Sequence, residues 1–426
     1  MNALLVAIGS HGDVHPFVGL GLTLRDRGHD VTVVTNPHFE PLVRRVGLDF
    51  APVGTADDYR ELASNPDMWH PMRAPYVVAD AMAKTLPPVF DQVVSRYVPD
   101  ETLVVASTLG IGARVAQEVH GIPLVSVHLQ PSILRTLYDT PRYFGMPMRP
   151  WMPKWHKKTI WRVADFIVDR VLAGPVNEFR ARFGLPPVKR IMDEWWNSPR
   201  MLLGLFPEWF GPRQPDWPPQ LRLTGFPLYD ERGVAPMPAA LEKFLGGGEP
   251  PVVFTPGSAM WQGRNFFEAA VGACVRLKRR GVLLSRHRDH VPRDLPPGMI
   301  HVDFAPFSEL LPRCAGLVHH GGIGTCAQAM ACGVPQLVTP MAHDQLDNAV
   351  RMERLGVARW VAAKRFTAAR GAKVLGEVLA SREVAEACAK TKARFRGTEP
   401  LEESARLIEG LLGSRESPLT PALSRE

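Results

Sequence analysis

Eight prolines fall between residues 207 and 238: Pro207, Pro212, Pro215, Pro218, Pro219, Pro227, Pro236 and Pro238. Proline lacks a backbone N–H and fixes φ, so neither a helix interior nor a central strand tolerates that density. The segment therefore reads as a boundary cutting the chain in two. Before it, the apolar runs Leu4–Ile8, Val31–Thr35, Leu103–Ser107 and Pro123–Val127 alternate with helical stretches, such as Pro16–Arg27 closed by Gly28. After it, Val252–Thr255, Val282–Leu284, Leu317–His319 and Gln336–Thr339 repeat the pattern. Apolar runs joined by crossover helices build parallel sheets buried on both faces. The expected fold is α/β, with two Rossmann-like domains facing each other across a cleft. The expected extents are 1–215 for an acceptor-side domain, 216–238 for the proline-rich linker and 239–395 for a nucleotide-sugar domain. Residues 396–412 are expected to form a helix returning to the first domain, and 413–426 a disordered polar tail.

At 426 residues the chain suits two domains rather than one core. No apolar run reaches the length needed to span a bilayer, and Met1–Ile8 lacks the basic start of a signal peptide. The five cysteines contain no CxxC pair and read as reduced, mostly buried residues. Together these features predict a cytoplasmic protein. The net charge of +7 accompanies no nucleic-acid-binding motif, so anionic donors or an anionic membrane surface are the expected partners.

Residues 315–348 carry the densest chemistry. A strand over Ala315–Val318 runs into His319-His320-Gly321-Gly322-Ile323-Gly324-Thr325, and a helix begins near Thr325. Such a turn offers unpaired N–H groups and the positive end of a helix dipole to a diphosphate. His320 is placed to donate to a phosphate oxygen, and Gly322 and Gly324 let the backbone approach it. After the next strand, Asp344 and Gln345 suit sugar hydroxyls. An ordinary α/β turn with a satisfied histidine is the plainer reading of any one of these features.

The ordered combination resembles the donor signature of family 1 glycosyltransferases, inverting sugar transferases of the GT-B fold. The likeness runs from about residue 2 to about 410. Gly9-Ser10-His11-Gly12-Asp13-Val14 matches the sterol, antibiotic and rhamnolipid branches. Pro187-Val188-Lys189-Arg190-Ile191, Leu205-Phe206-Pro207-Glu208-Trp209-Phe210, Asp216-Trp217-Pro218 and Thr224-Gly225-Phe226-Pro227-Leu228 point to the rhamnosyltransferases of the rhamnolipid branch. By this resemblance Asp13 stands at the position of the catalytic base, and His15 is a reserve candidate. Val104–Ser107 offers no Asp to form a dyad, so Asp13 would act alone. The same residue type also caps helices, and both roles can coexist. Phe304 stands where the family stacks the nucleobase, Ser258 near a phosphate, and Gln328 where many members bind ribose through a Glu. A Gln there suits a dTDP-sugar and does not exclude UDP. No Asp-x-Asp motif occurs, so neither a metal nor another cofactor is expected beyond the nucleotide-sugar co-substrate.

Residues 142–166 are aromatic and basic. Trp151 and Trp155 are expected to line an apolar acceptor pocket or to rest on a membrane surface. The acceptor is then a hydrophobic, hydroxylated molecule, and peripheral contact with the inner face of a membrane follows. The alternatives are a UDP-glucose-dependent glucosyltransferase of a small aromatic, sterol or terpenoid alcohol, a nucleotide-sugar epimerase, and an inactive homologue that binds nucleotide sugar or regulates a partner.

Overall fold

The structure is a computed structural model that describes residues 1–413, except 259, 261 and 262. The tail expected over 413–426 falls outside the described residues from 414 onward. The first sheet has seven parallel strands: β1 (Asn2–Val6), β2 (Asp30–Thr35), β3 (Asp49–Pro52), β4 (Thr102–Ser107), β5 (Leu124–His128), β6 (Met201–Gly204) and β7 (Leu221–Leu223). Their spatial order is β3-β2-β1-β4-β5-β6-β7. The second sheet has six parallel strands: β8 (Val252–Thr255), β9 (Gly281–Leu284), β10 (Met299–Val302), β11 (Gly316–His319), β12 (Gln336–Val338) and β13 (Ala358–Trp360). Their order, β10-β9-β8-β11-β12-β13, repeats the topology of the first sheet. Each sheet therefore reverses direction once, between β1 and β4 and between β8 and β11. Such a switch point leaves a crevice beyond the carboxyl ends of the strands, where ligands of open α/β sheets bind.

Three boundaries differ from the sequence reading, each for a local reason. The first helix spans His11–Asp26, not Pro16–Arg27. Ser10 caps it by accepting from the Gly12 amide, and Asp13 reaches back to the Ser10 amide, so the helix begins before its proline. The first sheet runs through β7, inside the expected linker. β7 is an edge strand, the one place where a sheet tolerates such proline-rich surroundings. The linker is also no loose tether. Trp217, Leu221 and Phe226 are buried in one apolar cluster with Phe206 and Phe210 before them and Cys326, Met330, Ala349 and Met352 of the second domain.

Polar contacts also join the halves. Asp347, buried on the Gln345–Arg354 helix, accepts from the Arg142 amide and from Arg351 Nε at 2.9 and 2.6 Å. Arg351 and Arg354 in turn reach Asp139 of the first domain. The last helix, Pro400–Gly413, lies on the first domain, with Ala405 and Ile408 fully buried among residues that include Leu20 and Leu24.

Candidate active site

The two switch points face each other. On the first domain, Gly9 takes φ +137°, and a Cβ there would lie 2.3 Å from Asp13 Oδ2. Glycine at this position is thus what lets the Asp13 carboxylate fold back over the turn. Asp13 Oδ2 accepts from the Ser10 amide at 2.7 Å and from Ser10 Oγ at 3.0 Å. Burial raises the Asp13 pKa above the ordinary carboxylate value, against the lowering effect of those two bonds. Ser107, at the end of β4, spends its hydroxyl accepting from the Ile8 amide. The orienting partner of Asp13 is therefore Ser10, its own helix cap, and not a residue of a later strand.

His15, the reserve candidate, is engaged by Glu231. Its Nε2 lies 3.2 Å from Glu231 Oε1, and its ring meets Tyr229 edge-on. His11 is held neutral: burial, then the neighbouring His15 and Arg286, push its pKa far down. Its Nε2 accordingly accepts from Arg286 Nη1 at 2.9 Å, across the cleft.

On the second domain, His320 sits between the turns that follow β8 and β11. A Cβ on Gly257 would lie 2.6 Å from its ring, and one on Gly322 2.5 Å from Nε2. The ring fills a slot that two glycines open. Burial lowers the His320 pKa to about 4, so the imidazole is neutral near pH 7, and its buried Nδ1 has no partner among the described residues. Gly321 takes φ +98° and presses against Val338 and the Gln345 carbonyl. The helix that follows, Ile323–Cys332, has no side-chain cap among the described residues, so its first-turn amides are free for a ligand there. A Cβ on Gly324 would meet nothing within 4 Å, so the protein itself makes no demand for glycine there. Thr325 is half-buried on the same turn, and Ser258 is exposed on the turn after β8.

Asp344 accepts from Asn348 Nδ2 at 2.6 Å, and the same amide group donates to the Gly321 carbonyl at 3.0 Å. Asn348 thereby ties the glycine turn to the acid. Burial raises the Asp344 pKa to about 7, and the negative charge of Asp13 adds to the rise, which places the two carboxylates within electrostatic reach across the cleft. Gln345 is buried and its Oε1 accepts from the Met341 and Ala342 amides, so its carbonyl builds the turn and only its amide nitrogen remains for a ligand.

Gln328 lines a cavity of about 450 Å³ with Tyr229, Asp230, Arg232, Ser308 and Lys392. The Phe304 ring carries the Arg286 guanidinium 5.4 Å from its centre, so one face is already covered by a cation. Trp151 and Trp155, expected at an acceptor pocket or on a membrane surface, are 78% and 71% exposed. No group of three or more His, Cys, Asp or Glu side chains is placed to hold a metal among the described residues.

Sequence reading missed Arg286, Glu231 and Asn348. Arg286 stands just beyond the carboxyl end of β9, on the strand-end side of the sheet where ligands bind but one strand away from the switch point. Glu231 lies in the proline-rich segment with φ +62°, buried among His15, Arg45 and Arg286. Burial raises its pKa, but His15, Arg286 and Arg45 outweigh that and hold it below the usual value.

Two Rossmann-like domains with opposed switch points, one bearing a buried carboxylate and the other a glycine turn with a neutral histidine, define a GT-B glycosyltransferase. Residues 3–138 match the glycosyltransferase family 28 N-terminal domain, and residues 274–409 the erythromycin biosynthesis protein CIII-like C-terminal domain. The chain is 34% identical over 370 residues to the O-mycaminosyltylonolide 6-deoxyallosyltransferase of Streptomyces fradiae, covering 84% of this chain and 85% of that protein. It is 28% identical over 408 residues to a sterol 3-beta-glucosyltransferase of Pichia angusta, covering 92% of this chain and 32% of that one. The crystal structure of the glycosyltransferase VinC in complex with dTDP superposes with a TM-score of 0.68 at 21% identity, covering 97% of this chain and all of that one. The chain belongs to the family of GT-B glycosyltransferases that includes the antibiotic and sterol enzymes, and it is a glycosyltransferase that uses a nucleotide-sugar donor.

Proposed function

We propose that this enzyme transfers a 6-deoxyhexose, rhamnose in the first instance, from a dTDP-sugar to a hydroxyl of a lipid acceptor, with inversion at the anomeric carbon. The observation that carries the mechanism is the buried Asp13 carboxylate, held through Oδ2 by Ser10, with its pKa raised by burial and its charge felt by Asp344. Asp13 takes the acceptor proton as the hydroxyl oxygen attacks the anomeric carbon. Ser10 fixes Oδ2 and leaves Oδ1 for the proton. A raised pKa makes the carboxylate a better base than an exposed one. As the bond to the leaving phosphate oxygen breaks, charge develops on the diphosphate. The unpaired amides at 323–325, His320 and Ser258 stabilise it. A neutral His320 serves as a hydrogen-bond donor there. Asp344 and the amide of Gln345 hold the sugar hydroxyls, and the space beside Gly324 is left for the donor. Phe304 supports the base.

Gln328 supports the deoxynucleotide reading, because a deoxyribose has no 2′-hydroxyl to require a carboxylate. The Streptomyces fradiae relative, named for a deoxyhexose transfer, points the same way. The lipid acceptor rests on the resemblance to the rhamnolipid branch, and the cytoplasmic face of a membrane is the matching location. The likeness to the sterol glucosyltransferase favours the second reading, UDP-glucose with a sterol-like alcohol.

The test is product formation read by mass spectrometry. Purified protein is mixed with a 3-(3-hydroxyalkanoyloxy)alkanoate and either dTDP-rhamnose or UDP-glucose. Rhamnosylated lipid from the first tube, lost in Asp13→Asn, is the expected result. A glucosylated product, or transfer that survives Asp13→Asn, overturns the donor or the base respectively.

A further inference from the structure

The Lys154–Ala181 helix is 28 residues long and lies against the first domain, where Leu172, Val176 and Phe179 join the core. Its acids up to Arg170, Asp165 and Asp169, are engaged by the protein rather than exposed. Asp165 pairs with Arg135, and Asp169 accepts from the Arg190 and Ile191 amides. What remains outside is basic and aromatic. Trp155, Arg162, Phe166 and Arg170 recur at spacings of 7, 4 and 4, which keeps them on one face of a helix, with Val163 beside them. Trp155, Val163 and Phe166 are 71%, 53% and 63% exposed, and Trp151 just before the helix is 78% exposed. Lys154, Lys158, Arg162 and Arg170 are exposed among them, and no exposed acid interrupts the run from Trp151 to Arg170. Large apolar side chains left bare on a folded surface mark an interaction site. Tryptophans ringed by cations, with the acids withdrawn, suit a headgroup layer that is apolar below and anionic above.

The start of this helix is also tied to the cleft. Buried Lys157 donates to the Leu137 and Pro150 carbonyls and so fixes the loop before the helix. That same loop carries Arg142, whose amide is held by Asp347 on the helix that begins after Asp344. The aromatic face thus adjoins the loop that borders the site.

We infer that this face docks the enzyme on an anionic lipid bilayer, so that a lipid acceptor passes from the membrane surface to the cleft beside the 137–150 loop. The second half of that inference rests on the lipid-acceptor reading; the docking itself does not.

The experiment is vesicle flotation of the full chain, with no donor and no acceptor present. The vesicles are phosphatidylcholine with or without phosphatidylglycerol. The protein is expected to float with the anionic vesicles only, and less so as salt rises. Trp151→Ser/Trp155→Ser/Phe166→Ser is expected to abolish flotation. Lys158→Glu/Arg162→Glu should lower the partition coefficient by about fivefold or more per residue, the scale of one basic side chain at an anionic surface. All five positions are exposed, so unchanged melting curves should accompany the loss. Wild type that stays at the bottom of the gradient overturns the proposal, and so do variants that float as well as wild type. A wild-type dimer by light scattering that the aromatic variant converts to a monomer also overturns it, because a second copy would then cover the face. Flotation by a protein that gives no lipid product in the separate mass-spectrometric assay retains the docking face and removes the lipid-acceptor reading.

Discussion

One carboxylate at position 13 caps its helix and, in the proposed mechanism, is also the base, two tasks that substitution can separate. Asp13→Asn keeps an oxygen to accept from the Ser10 amide but cannot take a proton. It should lower kcat about 10²–10⁴-fold, the range of a lost general base, with little change in melting temperature. Asp13→Ala loses the cap as well and should cost roughly 1 kcal/mol more in stability, read by denaturant unfolding. Asp344 makes a prediction of opposite character. Its folded pKa of about 7 lies well above that of an ordinary exposed carboxyl, so the protonated form is favoured by folding. Its contribution to stability is fully present below the unfolded value and is lost as pH rises through about 7. Asp344→Asn cannot ionise and still accepts from Asn348, so its melting temperature should overtake wild type progressively over that window. A gap that stays constant with pH would sink the assignment of a buried, rising carboxyl. Position 13 could be found in the sequence because Gly9-Ser10-His11-Gly12-Asp13-Val14 is a short contiguous pattern that the family resemblance picks out, although a helix start read at Pro16 comes too late. The partner of His15 could not: Glu231 is more than two hundred residues away and only the tertiary fold brings it in.

Elements decide which glycines matter. Gly321 and Gly322 look alike in sequence, yet they answer to different constraints. Gly321→Ala forces a side chain into φ +98° and to within 2.8 Å of Val338, so both fold stability and donor affinity should fall, the former by roughly 1–3 kcal/mol. Gly322 has φ −61°, which any residue adopts, and the nearest atoms to its added Cβ belong to the His320 ring, a side chain rather than backbone. Gly322→Ala should therefore leave the melting temperature nearly unchanged while donor binding, read by calorimetry, weakens. Equal losses of stability in the two variants would contradict the slot built for His320. The strands were legible because parallel sheets need unbroken apolar runs, as in Thr102–Ser107, where every residue is buried. The short β7 was not, since an edge strand amid prolines carries no such run. The sequence left Trp151 and Trp155 with two readings for a related reason: their composition suits a pocket wall and a surface patch equally, and exposure is a property of the fold alone.

At the scale of the molecule, the chain leaves the first domain through the proline-rich segment and returns to it with the Pro400–Gly413 helix. The two crossings touch, through Thr224 Oγ1 and Ser404 Oγ at 2.8 Å and through Gly225 against Pro400. Ile408 is fully buried on the first domain, so Ile408→Ala should cost about 2–5 kcal/mol, and the loss should appear in unfolding of that domain. A change confined to the second domain would refute the assignment. The return helix has a consequence for synthesis. A nascent chain holds the core of its first domain open on one side, with the face that bears Leu20 and Leu24 uncovered, until residues 400–413 have left the ribosome. The second domain lies wholly within that interval, so it can complete its own fold before the domain made ahead of it is sealed.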